Sequence, residues 1–223
     1  MSAASVLGEL GGSALARTAQ SEGLSFIPPR LEERDVSPDS PAAIEHPHHS
    51  TEKPSAVFTT YAPPSPLALT AGEVDAILDA HAGSVEHLQD ARAEAATIPW
   101  PEVPCHARLL EIVAAANAAW WRLDIELVTA YLLRYRPGDE HREHMDMHPG
   151  SMQRKFALSV QLSDSDDYDG GDLELRCWEE LRTMPRLRGS VVAFPGWTPH
   201  RVTRLERGER WALVVWGWGR AVL

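Results

Sequence analysis

The chain has 223 residues, 43% of them hydrophobic and 24% charged, and carries a formal net charge of −11. That is enough apolar material for one domain with a full core. The acid excess argues against sequence-independent binding to phosphate backbones or anionic lipid, so neither nucleic acid nor a membrane is an expected partner.

Residues 1–65 read as a poorly ordered tail. Nine of the 17 prolines fall between Pro28 and Pro66, while all eight tryptophans lie at or after Trp100, so the tail has little with which to build a core. A short helix is compatible with SVLGELGGSALARTA. His46, His48 and His49 read as solvated loop histidines. The domain proper, residues 66–223, opens on TAGEVDAILDAH. There Thr70 is a candidate N-cap and Glu73, three residues on, completes a capping box. Val74, Ile77, Leu78 and His81 follow with helical spacing. A second helix is predicted over 84–95. A third is predicted over 105–121, with Leu109, Leu110, Ile112, Val113 and Ala116 on its apolar side. After Trp121 the pattern turns strand-like: ELVTAYLLRY, RKFALSVQLS, DLELRC, SVVAFP, HRVTRL and RWALVVWGW are separated by Pro-Gly, Gly-Gly and Arg-Gly turn signals. Helices first and many strands second predict an α+β fold, mainly β, with an antiparallel sandwich or barrel and the helices packed outside. Cys105 and Cys177 form no CxxC pair and read as buried or half-buried free thiols. With no apolar run near the ~20 residues of a membrane span, and no basic-then-apolar leader, a soluble cytoplasmic protein is expected.

The densest cluster of metal-capable side chains is HREHMDMH. In it, His144 and Asp146 stand two apart, the spacing that puts an imidazole and a carboxylate on one face of a strand. Such tripeptides also arise by chance. His200, far downstream in WTPHRV, supplies a second imidazole. Two histidines and one carboxylate leave three positions open on an ion, as in the facial triad of non-haem iron(II) oxygenases, and a bidentate 2-oxo acid with O2 can fill them. A structural zinc site would want four protein ligands. A helical zinc site also stays open, since His141, His144 and His148 share the spacing of one helix face. From His200 the chain reads as a hairpin: HRVTRL, a turn through Glu206-Arg207-Gly208-Glu209, then RWALVVWGW. That register puts Arg210 across from Arg204, facing the interior about 13 Å from His200. An arginine there can grip a carboxylate with its planar fork.

Three blocks, YRPGDEHREHMD, RKFALSVQLSDSDDYDGGDLELR and LRGSVVAFPGWTPHRVTRLERGERWALVVWGW, carry a more specific signal. In order and spacing they resemble the prolyl/lysyl-hydroxylase-like branch of the iron(II)- and 2-oxoglutarate-dependent dioxygenases. The resemblance implies a double-stranded β-helix, or jelly roll. It also implies His144, Asp146 and His200 as iron ligands, Arg210 as partner of the distal 2-oxoglutarate carboxylate, and Tyr135 as a residue that holds or shapes that pocket. Where the family often has an aromatic three residues before the first ligand, this chain has His141. The implied reaction is hydroxylation of an unactivated C–H in a peptide, amino acid or small molecule. It consumes O2 and decarboxylates 2-oxoglutarate to succinate, with ascorbate as activator. Related halogenases replace the carboxylate by a small residue, so Asp146 argues for hydroxylation. Two alternatives are a non-catalytic jelly-roll ligand-binding or sensor domain and a nucleic-acid demethylase of the same superfamily. Tyr168-Asp169-Gly170-Gly171 reads as a tight turn, Trp211, Trp216 and Trp218 as sheet-face packing, and His148 as a loop or substrate-side histidine.

Overall fold

The computed structural model describes residues 58–87 and 93–221. The helix expected near SVLGELGGSALARTA and the histidines at 46, 48 and 49 lie outside the described residues. Helix α1 (Ala71–His81) starts where the capping box places it: the Thr70 hydroxyl accepts from the Glu73 amide, and the Glu73 carboxylate accepts from the Thr70 amide at 2.8 Å. Removing that cap with Thr70→Ala is expected to lower unfolding free energy by about 1 kcal/mol. A urea melt checks this; an unchanged midpoint would leave the box without energetic weight. Helix α2 (His106–Trp120) matches the predicted third helix to within a residue at each end.

Among the described residues, the helix predicted over 84–95 is not there. The chain instead makes a 3₁₀ turn, then strands β2 (Glu86–His87) and β3 (Glu94–Ile98). Alanine-rich EAATI favours helix on intrinsic propensity, yet here it pairs antiparallel with β4 (Leu127–Tyr135). Glu94, almost buried, is held between Arg134 and Arg136. Tertiary pairing has overridden a weak local preference. The sheet also reaches into the stretch expected as tail: β1 (Thr59–Tyr61) pairs with β10 (Val191–Pro195).

One seven-stranded sheet runs β1-β10-β6-β13-β4-β3-β2, with β6 spanning Arg154–Gln161 and β13 spanning Arg210–Trp218. A four-stranded sheet runs β5-β11-β8-β9, with β5 at His141–His144, β8 at Leu173–Cys177, β9 at Glu180–Thr183 and β11 at His200–Val202. Two short strands, β7 (Tyr168–Gly170) and β12 (Leu205–Gly208), pair with each other. The architecture is the expected jelly roll, mostly antiparallel β with helices outside.

Strand alternation gives the large sheet two different faces. Leu132, Leu158, Val160, Leu213 and Val215 are fully buried against Val74 and Ile77 of α1 and Leu109, Ile112, Val113 and Ala116 of α2. Each such side chain contributes about 1.5–3 kcal/mol when removed from water, so this face anchors the fold. The other face carries Ala157, Ser159 and Gln161 from β6, Val192 and Phe194 from β10, and Arg210, Ala212, Val214 and Trp216 from β13, as the strand registers require. It looks across to the four-stranded sheet, where Leu175 packs with Ala157, Val192 and Phe194. Polar groups concentrate on this inner face because the large sheet takes its apolar support from the helices.

Candidate active site

His144 and His200 meet because β5 and β11 pair antiparallel with these two residues in register. Their rings lie 4.3 Å apart between centroids. Asp146 follows β5 in a bend, 2% exposed, and its Oδ2 sits 3.9 Å from His200 Nε2. One donor atom from each of His144, Asp146 and His200 lies within 4.8 Å of the other two. Phe194 covers the His200 ring at 4.8 Å.

The hydrogen bonds prepare this cluster for a cation. The Nδ1 of His144 donates to the Arg142 carbonyl at 2.9 Å, and the Nδ1 of His200 donates to the Thr198 carbonyl at 2.9 Å. Those bonds fix the tautomer and leave both Nε2 lone pairs free, as in metal-binding histidines generally. Burial, reinforced by repulsion from His200, holds the His144 imidazole below its usual basicity and so favours the neutral ligand form. Asp146 Oδ2 is buried and accepts from no group among the described residues, an orphan that a cation would satisfy. The chain's residues therefore fit a divalent metal with two imidazoles and one carboxylate.

The helical zinc alternative is contradicted. His141 and His144 belong to one strand, with rings stacked at 4.1 Å, and His148 sits in the following turn, where its Nδ1 accepts from the Gly150 amide.

Arg210 arrives from the opposite sheet, and the expected hairpin does not form. The strand after His200 splits: β11 stays in the four-stranded sheet, β12 pairs with β7, and β13 joins the large sheet between β4 and β6. Arg210 thus opposes Tyr135, not Arg204. It still points into the space between the sheets, 3% exposed, by parity with Ala212 and Val214. A narrow recess opens there, lined by Arg210, Gln161, Tyr168, Arg186 and Ser190 among others. Two buried groups on its wall, Arg210 Nε and Ser190 Oγ, have no hydrogen-bond partner among the described residues. Gly171 keeps the guanidinium stem free. At φ +62° it takes a conformation that side chains rarely adopt, and a Cβ there would lie 2.6 Å from Leu205 Cδ1 and 3.3 Å from Arg210 Cδ. The Tyr-Asp-Gly-Gly segment is accordingly a short strand running into a close approach rather than a tight turn.

The triad atoms do not line this recess. Met184 and Val192, which do, pack in one cluster with Phe194, which in turn covers His200. Metal-capable cluster and recess therefore share the same inter-sheet interior. Tyr135 is fully buried behind Arg210, its ring 5.4 Å from the guanidinium carbon, in a cluster with Tyr168, Val202 and Leu205. Sequence reasoning missed Gln161, Arg186 and Ser190. The alternation of RKFALSVQ, with Ser159 and Gln161 interleaved among Phe156, Leu158 and Val160, was the available signal for Gln161.

A family profile described as "2OG-Fe(II) oxygenase superfamily" matches residues 130–218. Over that segment the chain resembles the 2OG-Fe(II) oxygenase superfamily. The superfamily match runs from inside β4 to the end of β13 and includes Tyr135, His144, Asp146, His200 and Arg210. A PKHD-type hydroxylase of Synechococcus elongatus is 39% identical over 90 residues, covering 37% of this chain and 40% of the relative. One of Teredinibacter turnerae is 32% identical over 88 residues, covering 37% of this chain and 39% of the relative. The matched stretch thus spans well under half of these curated relatives. Among solved structures, a Pseudomonas putida prolyl-4-hydroxylase superposes with a TM-score of 0.61 at 22% identity, covering 74% of this chain and 93% of that one. That similarity shows the fold, a jelly roll. Among the described residues, no helix is long and apolar enough to cross a membrane.

Proposed function

We propose that this protein is an iron(II)- and 2-oxoglutarate-dependent dioxygenase that hydroxylates an unactivated C–H of an amino-acid-like substrate. The single observation carrying the proposal is the convergence of His144, Asp146 and His200 with their donor atoms free and a buried, unpartnered Arg210 Nε in the same interior. His144 Nε2, His200 Nε2 and one Asp146 oxygen are the ligands. Iron bound there supplies O2 activation coupled to decarboxylation of 2-oxoglutarate to succinate. Arg210 takes the distal carboxylate of 2-oxoglutarate with its fork, and Ser190 offers a hydroxyl on the same wall. Tyr135, with its phenol kept protonated by burial, closes the back of Arg210 against water. Ascorbate serves as activator by keeping the metal reduced.

The substrate class is a prolyl or other side chain in a peptide, with a free amino acid or small natural product as the smaller version of the same chemistry. Exposed Met145 stands between two of the ligands. Exposed Trp197 lies on the neighbouring loop, which a Met147-to-Gly196 backbone bond ties to the first. Cys105 and Cys177 form no disulfide among the described residues, which suits a reducing cytoplasm. Burial raises the Cys105 thiol to about 11, which makes it inert.

The test is succinate formation from 2-oxoglutarate by the full chain with iron(II), O2 and ascorbate. Turnover that rises with added prolyl peptide or amino acid is expected. Binding of 2-oxoglutarate without any succinate would sink the enzyme reading and leave a ligand-binding jelly roll.

A further inference from the structure

Arg154 is the one charged side chain that touches the triad's carboxylate from within the protein, among the contacts the described residues make. It opens β6. Regular alternation would place it on the helix-facing side with Phe156 and Leu158. A register slip between Gly217 and Trp218 instead brings it opposite Trp218 and turns it inward. Its guanidinium carbon then lies 3.7 Å from the Trp216 ring centroid and 4.9 Å from that of Trp218. From this platform Nη1 reaches Asp146 Oδ1 at 3.5 Å, with the two side chains 12% and 2% exposed. The other carboxylate oxygen, Oδ2, faces His200 and has no hydrogen-bond partner among the described residues.

We propose that Arg154 is a positioning residue that occupies one oxygen of Asp146 so that the carboxylate offers the metal a single oxygen. A carboxylate can bind an ion through one oxygen or both. Through both, it would take a position that a chelating 2-oxo acid and O2 need. A fixed, buried guanidinium on Oδ1 prevents this. Arginine suits the task because its plane stacks on an indole while its edge donates, which lysine cannot do. The inference rests on the reading of His144, Asp146 and His200 as metal ligands.

The experiment titrates the full chain with Mn(II) without O2, then with 2-oxoglutarate at saturating Mn(II), in wild type, Arg154→Met, Arg154→Lys and Asp146→Ala. Groups that hold a metal ligand in place typically contribute about tenfold to a hundredfold in metal affinity. Arg154→Met is expected to lose Mn(II) affinity in that range. It is also expected to bind 2-oxoglutarate several-fold more weakly at saturating Mn(II), although Arg210 is untouched. Arg154→Lys should recover the metal affinity in part and the 2-oxoglutarate affinity little. General loosening would lower metal affinity alone, so wild-type 2-oxoglutarate affinity at saturating Mn(II) in both variants overturns the proposal. If Arg154→Met fails to give the wild-type circular dichroism spectrum, Arg154→Lys decides by the same criterion. Asp146→Ala separates the two levels. If it loses Mn(II) while both Arg154 variants behave as wild type, only the positioning role falls. If it binds Mn(II) normally, the triad reading falls with it.

Discussion

Asp146→Ala is expected to abolish succinate formation and to weaken iron(II) binding by more than about a hundredfold. The lower bound follows from the fact that residues merely supporting a ligand already contribute up to about a hundredfold, and Asp146 is the only anionic member of the cluster. The variant has a second consequence. Arg154 would lose its carboxylate while still largely buried, and breaking a buried ion pair from one side costs about 3–5 kcal/mol. Asp146→Asn is therefore the companion variant: it keeps an oxygen for Arg154 and the side-chain shape but removes the charge. Both should lose iron binding, whereas Asp146→Asn should keep more of the thermal stability of the metal-free protein. An anaerobic iron titration and a thermal melt read the two effects apart. Full activity in either variant would take Asp146 off the metal.

What could be read from the residues alone divides along physical lines. The capping box at Thr70, the apolar stripe of α2 and the β-branched runs of β4, β6, β10 and β13 are local signals, and the structure carries all of them. The failures fall where pairing partners decide the outcome. EAATI has no strand signature of its own; it is a strand because β4 offers an edge and Arg134 and Arg136 hold Glu94. HRVTRL and RWALVVWGW look like hairpin arms, but Gly170 and Gly171 let β7 intercept Leu205–Gly208, and the hairpin is replaced by strands in separate sheets.

The candidate site shows the same division. The coming together of His144, Asp146 and His200 was legible because HxD spacing and a distant histidine entering a strand are written in the sequence. The burial of Arg210 in the interior was right, but the route to it was wrong, since strand parity alone put it there and the hairpin was not needed. Arg154 was hidden for a different reason. In regular alternation it belongs with Phe156 on the helix side, and only a one-residue slip against β13 turns it inward. Bulges of that kind leave no mark in composition.

Arg210→Ala is expected to raise the apparent KM for 2-oxoglutarate by about thirtyfold or more, with a smaller fall in kcat. Truncating one partner of a buried, hydrogen-bonded charge pair costs about 2–5 kcal/mol, and each ~1.4 kcal/mol is a factor of ten. The expectation depends on Arg210 having spare donors. Its Nε is unpartnered, and Tyr135 offers it a ring face rather than an anion. Arg186, the other guanidinium on the recess wall, is already committed: Nε donates to Asp172 Oδ1 at 2.7 Å, and a second nitrogen donates to the Gly170 carbonyl. Arg186→Ala should therefore change KM far less than Arg210→Ala. Arg210→Lys keeps the charge but not the fork, and should fall between wild type and alanine. Gly171→Ala, which leaves every charge in place, should also raise KM, because its Cβ would press on the stem of Arg210 and on Leu205. Steady-state kinetics with varied 2-oxoglutarate distinguish the four. An unchanged KM in Arg210→Ala, with a large rise in Arg186→Ala, would move the carboxylate anchor to the other arginine.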